Sequence, residues 1–186
     1  MSGPIQPMLA RPVEELPPGE GWLFEAKYDG FRAICRVGSD GAVSIYSRKG
    51  AALGPLFAEL GDALASALPP DTVVDGEIVF WGPGDRLDFS ALVRRVSAGP
   101  VRAAHLARTQ PCRLVLFDVI RSAGHQVTSL PLAERRRLLE SLLAGLPGEH
   151  LITLSLLTGR RDEAELWLEV LGRHGIEGLV AFSERA

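Results

Sequence analysis

Lysine is almost absent from this chain. Of its 20 basic residues only Lys27 and Lys49 are lysines, and the other eighteen are arginines. An arginine stays protonated at any pH that a protein meets, whereas a lysine amine can lose its proton and act as a nucleophile. A chain that uses arginine so heavily therefore suggests that a retained lysine serves a reaction needing an amine. Lys27, in the stretch EAKYDGFR at 25–32, is the first candidate.

Long apolar runs and a basic excess are also missing. No apolar run approaches the roughly 18 residues that a membrane-spanning helix needs. The formal net charge of −3 argues against a simple DNA-coating protein, although local arginine clusters can still form a basic face. A hydrophobic content of 46% with 23% charged residues is typical of a globular chain, and 186 residues suffice for one well-buried domain.

Cysteine is scarce as well. The two cysteines, Cys35 and Cys112, lack metal-ligand spacing, and their apolar surroundings predict buried strand thiols in a reducing cytosol. The N-terminus has no charged segment followed by an apolar core, so we expect no secretory signal.

Strand patterns dominate the first part of the chain. Residues 1–20 are rich in proline and glycine and predict an extended arm, and residues 21–50 predict an antiparallel meander with a turn at Asp29-Gly30. On the first strand the period of two places Leu23, Glu25 and Lys27 on one face. Further strands are predicted at 72–81, interrupted by a turn at Asp75-Gly76, at 111–120 and at 176–182.

Helical patterns lie between these strands. The helical segments are 55–68, 88–97, 131–146 and 162–175. For the last one, the sequence offers Thr158 or Asp162 as the N-terminal cap and Gly172 or Gly175 as the end. Meanders interspersed with helices indicate an α+β fold, with antiparallel sheets flanked by helices, rather than a doubly wound parallel sheet.

Polar residues recur at the ends of the predicted apolar strands, where a scaffold usually displays its working groups. Each alone is explained by a turn or by a solvated surface, and Lys27 alone by a surface lysine whose stem packs on apolar neighbours. The set comprises Glu25, Lys27, Asp29, Arg32, Arg48, Asp75, Glu77, Asp118 and Glu177.

Five short motifs in a fixed order contain this set. They are KYDGFR at 27–32, SRKG at 47–50, VDGEIV at 74–79, LFDVI at 116–120 and EGLV at 177–180. In this order they resemble the nucleotidyltransferase domain of ATP-dependent DNA ligases and, more broadly, the covalent nucleotidyltransferases that include RNA ligases and capping enzymes. PMLA at 7–10 is similar to the lead-in of the bacterial ligases. The resemblance implies the covalent-nucleotidyltransferase (ATP-grasp-like) fold over residues 21–186.

The resemblance implies a role for the lysine and for the nucleotide-binding side chains. Lys27 would attack the α-phosphorus of ATP and become a lysine-AMP adduct. Glu25 matches a position that contacts the adenine, and Phe117 matches an aromatic ring that stacks on the purine, although apolar context alone fits a core phenylalanine equally well. Arg32 and Arg48 match arginines that contact the ribose, the phosphates or the nick.

The resemblance also implies residues for a metal and for the turn. Glu77 matches a glutamate at the ribose or metal, and Glu177 matches a metal-side glutamate, so that Mg²⁺ or Mn²⁺ would shield the phosphate charge. Asp29 would support the turn and face the 3′ end of the nick. AMP would then pass to the 5′-phosphate of nicked duplex DNA.

The chain departs from the family pattern in its last motif. The family's EG-x-x-x-K ends in lysine, whereas EGLVAF places Phe182 there, and the family's final lysine motif and OB-fold domain would follow Ala186. Fewer cations around the triphosphate predict poor self-adenylation and inefficient nick sealing by this chain alone.

Three alternatives follow from this pattern. The chain could be a ligase adenylation domain, an RNA-ligase or capping-type enzyme, or a decayed nucleotide- or DNA-binding paralogue. As a ligase domain it is expected to be a cytoplasmic, nucleoid-associated bacterial monomer that works with nicked DNA, a separate OB-fold domain or repair proteins, and no membrane.

Overall fold

The computed structural model describes residues 11–184, in which short strands and helices alternate. The strands are β1 (Trp22–Tyr28), β2 (Phe31–Val37), β3 (Val43–Ser47), β4 (Thr72–Val79), β5 (Trp81–Gly82), β6 (Arg86–Leu87), β7 (Arg113–Ser122), β8 (His125–Gln126), β9 (Ile152–Leu154), β10 (Leu157–Thr158) and β11 (Ile176–Ser183). The α-helices are α1 (Ala58–Ala67), α2 (Phe89–Ser97), α3 (Gly99–Thr109), α4 (Leu132–Leu143) and α5 (Arg161–Val170). Short 3₁₀ helices span Gly54–Leu56 and Leu171–His174.

The strands form two main sheets. In the large sheet the order is β3-β2-β4-β7-β8, with β9 added parallel to β7, and in the small sheet the order is β10-β1-β11. All other strand pairs are antiparallel, including the short β5–β6 hairpin. Mixed helices and mainly antiparallel sheets confirm the predicted α+β class.

The hydrophobic core lies between the large sheet and the helices α1 and α4. Phe57, Leu60 and Leu64 at α1 and Leu139 on α4 are fully buried against strand residues such as Ile78. Their spacing is the helical periodicity that the sequence shows, and each buried side chain of this size stabilises the fold by about 1.5–3 kcal/mol.

The predicted meander over residues 21–50 is wrong at its first turn. β2 and β3 form the expected hairpin, but β1 pairs with β10 and β11 in the small sheet and not with β2. At Asp29-Gly30 the chain crosses from one sheet to the other. Gly30 lies so close to β4 that a methyl group there would overlap the backbone oxygen of Ile78. An Asp-Gly pair is therefore used here for close approach between backbones instead of for a hairpin turn.

The predicted interruption of the strand at Asp75-Gly76 is also wrong. β4 runs without a break from Thr72 to Val79, and the pair coincides with a register shift in its ladder with β7. A Cβ atom on Gly76 would stand 2.7 Å from the backbone oxygen of Val115, so glycine allows β7 to approach closely. A central strand tolerates glycine for this reason.

The helix predictions hold in position but differ at their ends. α2 and α4 lie within the predicted segments, and α5 begins one residue before its segment. The helical spacing at 55–68 divides into a 3₁₀ turn and α1, and no prediction covers α3. At α5 the N-cap is Arg160, without a side-chain cap, and Thr158 accepts a hydrogen bond from the Arg160 backbone N–H at 3.0 Å. The following 3₁₀ turn ends at Gly175, whose φ of +82° suits glycine.

The cysteines are buried, as predicted. Cys35 on β2 is 1% exposed, and Cys112, directly before β7, is 2% exposed. Burial raises the pKa of both thiols, that of Cys112 to about 12, so neither is a thiolate at neutral pH.

The predicted arm is described only from residue 11 onward. Residues 1–10 lie outside the described residues, and residues 11–20 contain no helix or strand. The carbonyl oxygens of Pro17 and Pro18 accept hydrogen bonds from the side chains of Arg161 and Trp22. The division into an arm and a domain stays a prediction.

Candidate active site

The lysine singled out by the sequence stands at the end of β1, beside a carboxylate from β11. Lys27 pairs with Gly178 and Tyr28 pairs with Ile176, so Glu177 is the extra residue of a β-bulge. A bulge re-aims its side chain, and the Glu177 carboxylate here contacts the Lys27 ammonium. Both side chains are about half exposed, at 49% and 45%. The amine is therefore open to a ligand and oriented by one acid.

An arginine clamp lies on the large sheet, next to the crossing at Asp29-Gly30. Arg32 on β2 donates two hydrogen bonds to the Asp75 carboxylate on β4, of 3.1 and 2.8 Å. The guanidinium carbon also lies 5.2 Å from the centre of the Phe117 ring on β7. Burial raises the pKa of Asp75 even though the guanidinium opposes the shift. The double hydrogen bond fixes Arg32 over the ring face.

Glu77 lies directly across from Arg32 in the β2–β4 ladder. Burial raises the pKa of Glu77 to about 7, against the charges of Arg32 and Lys27, while the negative charges of Asp75 and Asp29 add to the shift. Lys27, Asp29 and Arg32 therefore all lie near enough to Glu77 to influence its pKa. A carboxyl group that titrates near neutral pH in a cleft is typical of functional sites.

An open cavity of about 480 Å³ lies beside Arg32 and Glu77. Arg32, Arg48, Lys49 and Glu77 line it, together with Val96 of α2. Arg48 and Lys49 stand in the turn after β3 and are exposed. The cavity thus joins three cations to one carboxyl group, a lining suited to an anionic ligand.

Glu25 occupies a different environment, although it shares a strand face with Lys27. It is only 7% exposed, and its Oε1 accepts a hydrogen bond from the Ser155 hydroxyl. Arg136 on α4 lies 3.6 Å from the same oxygen. Burial raises the pKa of Glu25 to about 7, and the Ser155 hydrogen bond and the Arg136 charge only partly oppose it.

Ser155 and Arg136 were missed by sequence analysis. Ser155 is 2% exposed and sits where the chain leaves β9 in the large sheet and enters β10 in the small sheet. The sequence does contain a signal for Arg136. It falls at the helical spacing of the residues that α4 buries, which are 132, 136, 139 and 143. An arginine at a core position of a helix implies a buried acceptor.

Phe182 lies away from the lysine. It pairs with Leu23, whereas Lys27 pairs with Gly178, so the two positions are separated by four residues, about 13 Å along the strand. Directly paired residues share a face, so Phe182 lies on the face that carries Glu25 and Lys27.

No group of three or more His, Cys, Asp or Glu side chains within residues 11–184 is arranged to hold a metal ion. Glu77 and Glu177 stand on different sheets. Lys27 connects them, because it contacts Glu177 and its charge influences the pKa of Glu77. Their assignment as metal ligands, like the other assigned roles, stays a prediction.

Comparison with known proteins assigns the family. A family model described as "ATP dependent DNA ligase domain" matches residues 7–185. The chain belongs to this family. DNA ligase C2 of Mycolicibacterium smegmatis is 38% identical, and DNA ligase C of Mycobacterium tuberculosis is 31% identical, each over 96% of this chain and 49% of the relative.

Solved structures agree with this assignment. The ligase domain of LigD from M. tuberculosis matches with a TM-score of 0.64 and 25% identity, over 89% of this chain and 49% of that chain. A mycobacterial DNA ligase D complexed with ATP and MES gives the same values. The resemblance to a ligase nucleotidyltransferase domain and the predicted fold are confirmed, and the ATP-dependent DNA ligase domain spans about half the length of the curated relatives it matches. No helix among the described residues is long and apolar enough to cross a membrane.

Proposed function

We propose that this ligase domain carries out the adenylation step, with Lys27 accepting AMP from ATP. The observation that carries the proposal is the position of Lys27, one of two lysines, half-exposed and held by Glu177 on a β-bulge. A similar mycobacterial ligase has been solved with ATP, which supports ATP as the nucleotide.

The chemistry begins with the deprotonated amine of Lys27. Its nitrogen attacks the α-phosphorus of ATP, an N–P bond forms, and the P–O bond to pyrophosphate breaks. Pyrophosphate leaves with the electron pair of that bond. AMP then passes from Lys27 to the 5′-phosphate of a DNA nick, and attack by the 3′-hydroxyl joins the strands and releases AMP.

The remaining side chains have binding roles in this proposal. Arg32, fixed by Asp75 over the Phe117 ring, holds the ribose or phosphates, and a purine stacks on the ring. Arg48, exposed beside the cavity, contacts phosphates or the nick. Asp29 supports the crossing between the sheets. Glu25 recognises the base from its buried position next to Ser155.

The donors proposed for a divalent ion are the carboxylates of Glu77 and Glu177. Glu77 and Glu177 would hold Mg²⁺ or Mn²⁺, because carboxylate oxygens are the ligands that these hard cations prefer. The ion would supply charge neutralisation at the phosphates. The protein's own side chains supply the rest: Glu177 orients Lys27, and the arginines bind the anionic phosphates.

The partners belong to the same proposal. The natural substrate is nicked duplex DNA, and a separate OB-fold domain or repair proteins are further partners. We infer a monomer in the bacterial cytoplasm, associated with the nucleoid and with DNA repair, replication or recombination.

The test uses the rarity of lysine. The chain is incubated with ATP and Mg²⁺, and its intact mass is measured. A gain of one AMP is expected on the wild type and on Lys49→Arg, and none on Lys27→Arg, which keeps the charge beside Glu177 but has no nucleophilic amine. Label on Lys27→Arg would refute the assigned nucleophile, and an unlabelled wild type would refute catalysis by this chain.

The same experiment separates the alternatives. GTP in place of ATP reveals a capping-type preference, and a nicked RNA substrate reveals an RNA ligase. Thermal stabilisation by ATP without covalent label would indicate a binding module. The labelled fraction of the wild type tests the prediction of poor self-adenylation that was made from Phe182.

A further inference from the structure

Two successive hydrogen bonds link α4 to Glu25, and in both the donor lies on the α4 side. Nη1 of Arg136 donates to the Ser155 hydroxyl oxygen at 2.8 Å, and the Ser155 hydroxyl donates to Oε1 of Glu25. A guanidinium can only donate, so the hydroxyl must accept there and its own proton points to Glu25. Oε1 of Glu25 is therefore set as an acceptor.

Arg136, the first donor in this series of hydrogen bonds, is itself fixed by several contacts. Arg136 is 8% exposed, donates a second hydrogen bond to the Ser155 backbone oxygen at 2.7 Å, and donates to Glu140 at 2.9 Å. The hydroxyl oxygen and the backbone oxygen of Ser155 thus both accept from one planar guanidinium, a geometry that lysine cannot reproduce. Arg136 consequently fixes the position of Ser155 and the direction of its hydroxyl.

Ser155 also links the large sheet to the small sheet. Its backbone N–H donates to the Leu116 oxygen on β7 at 2.9 Å, next to Phe117, while its side chain reaches Glu25 on β1. The next residue, Leu156, accepts a hydrogen bond from the Ala26 N–H at 3.0 Å. Ser155 therefore contacts both Glu25 on β1 and the backbone beside Phe117 on β7.

We propose that Ser155 and Arg136 are positioning residues for base selection, because they hold Glu25 as a hydrogen-bond acceptor at the edge of the purine that stacks on Phe117. This inference rests on the proposed adenylation function. The contacts from Ser155 and Arg136 both reach Oε1, so we assign Oε2 to the ligand. An acceptor there pairs with the exocyclic amino group of adenine and opposes the carbonyl oxygen that guanine carries at the same place.

The experiment measures preference rather than activity alone. ATP and GTP are compared on the wild type, Ser155→Ala and Arg136→Lys, by equilibrium binding and by the mass of the nucleotide attached to Lys27. Ser141→Ala is the matched control, because the Ser141 hydroxyl is exposed and donates a hydrogen bond to the Arg137 oxygen of its own helix. A merely structural defect would weaken the binding of ATP and the binding of GTP to the same extent.

The expected result is a loss of about tenfold in the preference for ATP over GTP in Ser155→Ala, the size of one hydrogen bond to a charged group. Arg136→Lys should lose preference in the same direction, and Ser141→Ala should keep it. A folded Ser155→Ala with wild-type preference overturns the positioning proposal while the proposed function stands. A wild type that neither binds nor attaches ATP overturns the proposed function itself, and with it this inference.

Discussion

The exchange Glu25→Gln tests whether a buried carboxylate limits the stability of this domain. The substitution keeps the shape and an oxygen acceptor for Ser155 but removes a charge that burial disfavours. The folded state raises the pKa of Glu25 from 4.5 to about 7. Between these two values the folded chain binds more protons than the unfolded chain, so stability falls as the pH rises through this window.

The magnitude follows from the same shift. A change of one pKa unit corresponds to about 1.4 kcal/mol, so the whole shift costs the folded state about 3 kcal/mol once Glu25 is ionised in both states. Most of this stability, about 2 kcal/mol, is lost as the pH rises from about 5 to about 8. Glu77, with its pKa also raised to about 7, contributes a similar slope, but it is present in both proteins and cancels in the difference.

The assay is urea unfolding of the wild type and of Glu25→Gln at several pH values. The free energy of unfolding of the variant, relative to the wild type, should rise by about 2 kcal/mol from about pH 5 to about pH 8. Glu169→Gln, at an exposed position of α5, is the control and should show no such rise. A difference between Glu25→Gln and wild type that stays constant with pH would refute the reasoning.

Two further predictions concern the fold. Gly30→Ala should lower the free energy of unfolding by about 1–3 kcal/mol, because its methyl group meets the backbone oxygen of Ile78. Gly54→Ala is the control and should have no such effect, since the space around Gly54 is open. Equal urea midpoints for the two variants would contradict this. Cys35 and Cys112 should both resist a thiol reagent in the native protein and react after unfolding, and a thiol titrating in the native state would contradict their burial.

The structure brings four of the predicted site residues near one another. Lys27 contacts Glu177, Glu77 lies across from Arg32, and the charge of Lys27 influences the pKa of Glu77. Their partners were harder to predict. Asp75 was noted only as a strand-end acid, yet it supplies both hydrogen bonds that orient Arg32.

The run Arg135-Arg136-Arg137 illustrates the limit. In the sequence it is one charged stretch of an amphipathic helix. In the structure Arg135 donates to the Asp118 carboxylate at 2.8 and 3.0 Å, Arg136 is buried against Ser155, and Arg137 is exposed. Neighbouring positions on a helix point 100° apart, so their surroundings depend on what packs against each face.

The amino-acid sequence by itself determined the chemistry of this ligase domain: a scarce lysine, the arginines and acids around it, and the alternation that places Glu25 and Lys27 on one strand face. Alternation is a local property, because successive side chains of a strand always point to opposite sides. Only the tertiary structure decided that β1 leaves β2 for another sheet and that a bulge turns Glu177 toward Lys27. Strand partners and bulges depend on burial between residues far apart in the chain, and no local pattern contains that information.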